Sequence, residues 1–135
     1  MLAIDSNIWA YALDATVPEH VASARAVDRA LKDEVLVNTV IQLEVNHYLV
    51  KRLGAVAGRE AAGLFLSMPL VVDSLDSTLV RIALRLLARY TQVGIGGRDA
   101  SLLASMERNG VTRIMTHDAT FRRVEWVEVV DPVRR

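Results

Sequence analysis

Two aspartates follow short apolar stretches of the sequence, at points where the chain turns toward a helix. Asp5 lies between "LAI" and "SNIWAYAL", and Asp118 comes soon after "RIM". In open α/β sheets, ligands bind beyond the carboxyl ends of the strands. If both stretches are central parallel strands, the two carboxylates point into the same crevice. Each aspartate also has a purely structural interpretation, because Asp is a good helix N-cap.

Two further acids occupy segments with helical periodicity. Asp99 opens "RDASLLASMERNG" and shares the inward face of that helix with Leu102, Leu103 and Met106. Glu44 lies in mid-helix among apolar and charged neighbours, which indicates a boundary position. Either residue alone is compatible with a structural role, since an acid in the first turn of a helix is favourable without any function. However, a single functional site would account for the positions of these two acids and of the two strand-end aspartates.

A cluster of carboxylates restricts the chemistry of such a site. Two like charges about 4 Å apart repel by roughly 4 kcal/mol at an effective dielectric constant near 20. Clustered acids therefore take up protons or hold a cation. Because the chain has no cysteine, a metal site must use oxygen or imidazole ligands, and oxygen ligands suit Mg²⁺ or Mn²⁺. Such an ion typically acts on phosphates, where it activates water and neutralises developing charge.

Short apolar stretches alternate along the chain with longer segments of helical periodicity. The stretches are too short for helices and rich in Val and Ile. We predict five strands, at residues 1–4, 35–38, 70–72, 113–116 and 126–130. Because helical segments separate them, the pattern predicts an α/β fold with mainly parallel strands and crossover helices.

Several residues mark the predicted helix boundaries. Pro18 is predicted to open one helix, Gly54 to end another and Pro69 to stop a third. Further helices are predicted for "SNIWAYAL", "SLDSTLVRIALRLLARY" and "GRDASLLASMERNG", with a short one after Asp118. Since 135 residues without repeats or linkers suit one core, we expect a single domain, residues 1–135.

The overall composition gives little direct information on partners. Lys and Arg together number sixteen, as do Asp and Glu, so any basic surface must be local. No apolar run approaches the roughly 18 residues of a membrane span, and no signal-peptide pattern opens the sequence. We expect a soluble cytoplasmic protein without membrane association.

The four acidic segments resemble, in order and spacing, the motifs of PIN-domain ribonucleases. The segments are "LAIDSNIWAYAL", "TVIQLEVNHYLVKR", "GRDASLLASMERNG" and "RIMTHDATFRRV", and the similarity extends to "WVEVVDP" near the end. Within that family they especially resemble the VapC-like toxins of prokaryotic toxin–antitoxin pairs. The resemblance implies a three-layer α/β/α sandwich with a five-stranded sheet. It also implies a Mg²⁺- or Mn²⁺-dependent endoribonuclease, a homodimer and, often, a cognate antitoxin.

The resemblance also assigns roles to individual residues. The metal-binding and catalytic acids would be Asp5, Glu44, Asp99 and Asp118. Neighbouring polar side chains would hold a ligand carboxylate or its water, namely Ser6, Asn7 and Thr116. Arg98 departs from the common pattern, because many relatives carry a histidine or an acid there. We expect it to face an RNA phosphate, as we do for the basic pair Arg122 and Arg123.

Other residues are open to functional interpretation but favour structural ones. Three arginines spaced four apart in one helix suggest a solvated face more than an RNA track: Arg81, Arg85 and Arg89. Trp9 and Tyr11 are expected in the core or at a dimer contact. His47 and His117 are left out of the catalytic set, because the metal would activate the water.

Three alternative functions remain to be weighed. A haloacid-dehalogenase-like phosphatase needs a second Asp two residues after the first, where this chain has Asn7. A receiver domain needs a lysine after a later strand, and none follows "RIMT". A catalytically silent PIN-like RNA-binding or scaffold module is the remaining alternative, although it gives no reason to gather carboxylates at strand ends.

Overall fold

The computed structural model of the chain describes residues 1–134 and contains one five-stranded parallel sheet. The order of the strands across the sheet is β3-β2-β1-β4-β5. Their bounds are β1 Leu2–Ile4, β2 Val35–Asn38, β3 Val71–Asp73, β4 Arg113–Met115 and β5 Glu128–Val130. All five predicted strands are therefore present, with ends that differ by up to two residues from the predicted ones.

Six α-helices connect the strands and cover the sheet. They are α1 Ser6–Leu13, α2 His20–Ala30, α3 Thr39–Leu53, α4 Ala55–Leu66, α5 Ser77–Tyr90 and α6 Gly97–Arg108. Two 3₁₀ turns, Thr91–Val93 and Ala119–Arg123, complete the elements. Helix α1 packs on both α2 and α3, α3 packs on α4, and α5 packs on α6. The chain thus forms the expected three-layer α/β/α fold.

The register of the central strands brings two chain segments together at the carboxyl edge of the sheet. Strand β1 lies between β2 and β4, and Ile4 pairs with Met115. Asp5 and Thr116 are the next residues of these two strands, and both are buried. Parallel pairing without a gap between β1 and β4 therefore places the Asp5 side chain beside Thr116.

Side-chain caps and one glycine fix the helix ends. Asp5 caps α1 and Asn38 caps α3, each accepting a hydrogen bond from a backbone amide of the first turn. Gly54 ends α3 as predicted, with a φ of 92° that favours glycine. Helix α2 begins at His20 and not at Pro18, because residues 18 and 19 form a turn before the helix.

The hydrophobic core lies between the sheet and both helix layers. Its largest fully buried side chains include Trp9, Phe65 and Phe121. The rings of Trp9 and Phe65 lie 4.9 Å apart between centroids, which fixes α1 against α4 and confirms Trp9 as a core residue. No helix in residues 1–134 is long and apolar enough to cross a bilayer.

Candidate active site

A cavity of about 290 Å³ opens at the carboxyl edge of the sheet, and all four predicted acids line it. Asp5 comes from the end of β1, Glu44 from α3 and Asp99 from the first turn of α6. Asp118 follows β4. The other lining residues are Ser6, Asn7, Ala10, Tyr11, Val45, Tyr48 and Arg98. Carboxylates from four separate elements therefore share one concave site.

Asp5 is the most buried of these acids, with 4% of its surface exposed. Its Oδ1 accepts a hydrogen bond from the Ser6 amide at 2.8 Å, and its Oδ2 accepts one from Thr116 Oγ1 at 2.8 Å. Burial raises the pKa of Asp5 to about 6, with smaller contributions from the charges of Asp99 and Glu44, while the two hydrogen bonds oppose the rise. Asp5 is therefore both an N-cap and a carboxylate with a perturbed pKa, so its capping role does not exclude a functional one.

Thr116 joins Asp5 to two other parts of the site. While its hydroxyl donates to Asp5, it accepts hydrogen bonds from Asn7 Nδ2 at 3.3 Å and from the Asp118 amide at 3.0 Å. Asn7 Oδ1 in turn accepts from the His117 amide at 3.3 Å. Thr116 thus uses its one donor and both lone pairs within the site. These contacts place Ser6, Asn7 and Thr116 beside Asp5 and Asp118.

Asp99 is half-buried at the start of α6, at the rim of the core. Burial raises the pKa of its carboxyl, and the negative charges of Asp118 and Glu44 add to the rise. The Gly96 amide and the Arg98 charge act in the opposite direction. The elevated pKa of Asp99 is thus partly a measure of how close the other acids lie.

Asp118 caps the 3₁₀ turn that follows β4. Its Oδ1 accepts a hydrogen bond from the Thr120 amide at 2.9 Å, and its own amide donates to Thr116. One carboxylate oxygen is therefore held by the backbone while the side chain still lines the cavity. Like Asp5, this residue combines a capping role with a place in the site.

Glu44 forms an ion pair with Arg98, in which Nε and Oε2 are 2.8 Å apart. The side chains are 29% and 55% exposed respectively. Sequence analysis predicted that Arg98 faces an RNA phosphate. In the structure Arg98 lines the cavity, and its partner is a carboxylate of the same chain.

The donor set can be compared with the needs of a divalent cation. Carboxylate oxygens are the ligands that Mg²⁺ and Mn²⁺ prefer, and four carboxylate-bearing residues line the shared cavity. Within residues 1–134, no three His, Asp or Glu side chains are grouped closely enough in this conformation to hold an ion. The residues therefore fit such an ion in chemistry and share one cavity, but in this conformation they are not gathered around one ion position, and Glu44 is paired with Arg98.

Asn38 is a buried residue that the sequence analysis did not single out. Its Oδ1 accepts from the Ile41 amide at 2.8 Å, and its Nδ2 donates to the hydroxyls of Ser101 and Ser105 at 3.3 and 3.2 Å. Ser101 donates in turn to the carbonyl of Arg98 at 2.6 Å. Asn38 therefore connects the helix that carries Glu44 to the helix that carries Asp99.

Two tyrosines of the cavity wall were also missed. Tyr11 packs against the core, in line with the expectation of a core or dimer contact, and it also lines the cavity with Tyr48. Tyr48 donates a 2.6 Å hydrogen bond to Oδ2 of the fully buried Asp14. Burial and this bond raise the pKa of Tyr48 to about 12. In the sequence, Tyr48 lies one helical turn after Glu44, and this spacing could have placed it on the same side of α3 as that acid.

Other candidates from the sequence lie away from the cavity. Arg122 and Arg123 are exposed on the 3₁₀ turn after Asp118 and do not line the cavity. His117 pairs with Asp131, with Nδ1 2.8 Å from Oδ2. In the predicted arginine stripe, Arg85 pairs with Glu107 and Arg89 with Glu125, which favours the structural interpretation.

Solved structures resemble this chain over nearly its whole length. The VapC20 toxin of Mycobacterium tuberculosis, which cleaves the sarcin–ricin loop, superposes with a TM-score of 0.82 at 24% identity, covering 96% of this chain and 98% of that one. VapBC2 of Rickettsia felis, bound to promoter DNA, gives 0.76 at 15% identity, with coverage of 96% and 97%. The DNA-bound VapBC complex of Salmonella typhimurium gives 0.76 at 14% identity, with 97% of each chain covered. Because the sequence identities are 24% or lower, these similarities show a shared fold.

The sequence itself supplies the family assignment. No curated protein sequence matches the chain. The sequence profile of the PIN domain matches residues 2–127, which is nearly the full length and includes all four acids of the cavity. The chain therefore belongs to the PIN domain family.

Proposed function

We propose that this protein is a Mg²⁺- or Mn²⁺-dependent endoribonuclease and the toxin of a toxin–antitoxin pair. The observation that carries the proposal is the meeting of four carboxylates from four elements in one cavity. Membership of the PIN domain family and a fold shared with an RNA-cleaving VapC toxin support the choice of RNA as substrate. As such an enzyme it would act on cytoplasmic RNA.

In this proposal the cation is held by Asp5, Glu44, Asp99 and Asp118. A bound divalent ion supplies activation of water and neutralisation of charge at the scissile phosphate. Thr116 and the Ser6 amide hold the Asp5 carboxylate in one orientation, so that little reorganisation is needed when the substrate binds. Asn38 fixes α3 relative to α6, and with them Glu44 relative to Asp99. Arg98, Arg122 and Arg123 are the proposed phosphate contacts.

Partners follow from the same family. The structural neighbours from Rickettsia felis and Salmonella typhimurium are VapBC complexes, which supports a cognate antitoxin for this chain. We also propose a homodimer. An apolar groove of about 410 Å³ beside α5 is lined mainly by Val40, Leu75, Val80, Ala83, Leu84 and Leu87. Leu84 is 65% exposed and Val80 52%, and large exposed apolar patches mark protein interfaces.

The decisive experiment is cleavage of a panel of tRNA and rRNA by the purified protein with Mg²⁺ or Mn²⁺. An EDTA control and the Asp5→Asn variant accompany the wild type. Cleavage that requires both the metal and Asp5 supports the proposal. Metal binding without cleavage of any RNA would indicate a narrow substrate choice or a co-purified inhibitor.

The alternative is a catalytically silent PIN-like RNA-binding or scaffold module. The outcome that favours it is the absence of both cleavage and metal binding in the wild-type protein. The elevated pKa values of Asp5 and Asp99 weigh against it, because burying several acids in one cavity destabilises a protein that gains nothing from them.

A further inference from the structure

We propose that Arg98 is a built-in cation that neutralises Glu44 in the metal-free protein, and that a divalent ion must displace it. This inference rests on the proposed metal-dependent function. It starts from the ion pair between Arg98 Nε and Glu44 Oε2 at 2.8 Å. After displacement, the guanidinium is available to an RNA phosphate at the same cavity.

The charges that line the cavity give the first argument. Among the described residues, four acids line it and Arg98 is the single lysine or arginine that does so. Arg98 pairs with Glu44 and directly precedes Asp99 in α6. One arginine is thus adjacent to two of the four acids, one in space and one in sequence, where a metal ion would bring a double charge.

The exposure of the pair gives the second argument. The Arg98 side chain is 55% exposed, so the ion pair is partly solvated. Exposed pairs contribute about 0–1 kcal/mol, so little free energy opposes their exchange for another partner.

Competition for the same carboxylate gives the third argument. In the structure, Glu44 Oε2 is paired with Arg98. In the same conformation, no three acids of residues 1–134 lie close enough together to hold an ion. A guanidinium and a metal ion cannot use the same oxygen lone pair. Once free, the planar donor fork of Arg98 matches a phosphate as well as it matches a carboxylate.

The test is a double-mutant cycle on Mn²⁺ affinity, measured by calorimetry on the whole chain without RNA. The proteins are the wild type, Arg98→Gln, Glu44→Gln and the double variant. We expect Arg98→Gln to bind Mn²⁺ about two- to fivefold more tightly, because no ion pair has to be broken. In the Glu44→Gln background the same substitution should give no such gain.

Two outcomes of the cycle overturn the inference. If Arg98→Gln binds Mn²⁺ as the wild type does, or more weakly, Arg98 does not compete with the ion. If the gain persists in the Glu44→Gln background, Arg98 acts only through its charge and not through Glu44. Absence of Mn²⁺ binding by the wild type would instead overturn the proposed function itself, and this inference with it.

A second measurement follows the guanidinium directly. In the metal-free protein, the Arg98 Nε–H signal in NMR should be protected and should respond to Glu44→Gln. Addition of diamagnetic Mg²⁺ should shift it toward the position of a solvated arginine. A signal that Mg²⁺ leaves unchanged, at concentrations that saturate the site, contradicts displacement.

Discussion

The hydroxyl of Thr116 donates a 2.8 Å hydrogen bond to Oδ2 of Asp5, across the ends of two adjacent parallel strands. The two residues are 111 positions apart in the sequence, and both are buried. Burial raises the pKa of Asp5 to about 6, and this hydrogen bond is the largest opposing influence. Thr116 therefore helps to keep Asp5 ionised near neutral pH.

The substitution Thr116→Val is expected to raise the pKa of Asp5 above about 6. Valine has the same shape but no hydroxyl, so it cannot donate the hydrogen bond that lowers the pKa of Asp5 against the effect of burial. Any metal binding or cleavage that needs ionised Asp5 should then decline at a higher pH than in the wild type. Titration of the Asp5 carboxyl carbon by NMR in the metal-free protein measures the shift directly.

The matched control is Thr112→Val, at an exposed threonine just before β4. It should leave the Asp5 titration unchanged. An Asp5 pKa that stays the same or falls in Thr116→Val would mean that the hydrogen bond does not persist in solution.

The metal-free protein should be stabilised at neutral pH by Asp5→Asn. Moving the pKa of Asp5 from 3.8 to about 6 disfavours the folded carboxylate by up to about 3 kcal/mol. Loss of one accepted hydrogen bond offsets about 1 kcal/mol, so a net gain of about 1–2 kcal/mol is expected. Asparagine keeps the helix cap.

The pH dependence gives this prediction its sign. The raised pKa means that the folded state holds the proton more tightly than the unfolded state. The destabilisation by Asp5 is therefore complete above pH 6 and declines as the pH falls from about 6 toward 4. Urea denaturation in EDTA at pH 7.5 and 4.5 should show the gain only at the higher pH. The exposed Asp28→Asn is the control, and an equal gain at both values would refute the assignment.

Replacement of Asn38 by alanine should weaken both the fold and the site. The variant loses the α3 cap and the donor to two buried serine hydroxyls, at a cost of about 2–4 kcal/mol. Because Asn38 fixes α3 relative to α6, we expect roughly tenfold weaker Mn²⁺ binding as well. Denaturant unfolding and calorimetry measure the two effects separately.

Asp76→Ala provides the comparison for that variant. Asp76 caps α5 through a 2.8 Å bond from the Leu79 amide, and it does not line the cavity. Its replacement should destabilise the protein and leave Mn²⁺ affinity unchanged. If Asn38→Ala lowers affinity no more than Asp76→Ala does, Asn38 has a structural role only.

Much of the site was accessible from the sequence because it depends on topology. The carboxyl ends of adjacent parallel strands meet at one edge, so Asp5 and Asp118 had to lie close together once the strands were assigned. Helical periodicity placed Asp99 at the rim of the core, where it is found. The positions of these three aspartates follow from the order of the strands and helices along the chain, and they depend little on how the helices pack.

Contacts between helices were not accessible in the same way. The bonds from Asn38 reach residues 63 and 67 positions away, and in the sequence it is only a polar residue at the end of "VLVN". The Arg98 to Glu44 pair depends on the angle between α3 and α6, which no local pattern specifies. The sequence therefore supports only the expectation of an RNA contact for Arg98, and its pairing with Glu44 comes from the structure alone.

The proposed homodimer predicts that Leu84→Glu gives a monomer. Leu84 is 65% exposed and lines the apolar groove beside α5, so a carboxylate there would be buried unpaired in the interface. Light scattering after size-exclusion chromatography measures the mass. Leu64→Glu on α4 is a matched control, since Leu64 is 63% exposed and lies outside the groove. A monomeric wild type, or a dimeric Leu84→Glu variant, would contradict this interface.

Asp14 should stabilise the protein at neutral pH and lose that effect in acid. Burial works to raise its pKa, but hydrogen bonds from Thr16 and Tyr48, with the charge of Arg52, outweigh burial and hold the pKa below its ordinary value of 3.8. A lowered pKa adds stability that is fully present above the unfolded value and is lost as the pH falls through the folded one. The contribution is therefore intact at pH 7.

On this basis Asp14→Asn should cost about 1–3 kcal/mol at pH 7 and less near pH 3, because its amide group replaces a carboxylate oxygen that accepts from Thr16 or Tyr48. Tyr48→Phe removes one donor of the same network and should cost about 1 kcal/mol. Since the two residues share a 2.6 Å bond, the double variant should lose less than the sum of the single losses. Strictly additive losses in denaturant unfolding would show that the bond is not formed in solution, and that Tyr48 is not held at the cavity wall by Asp14.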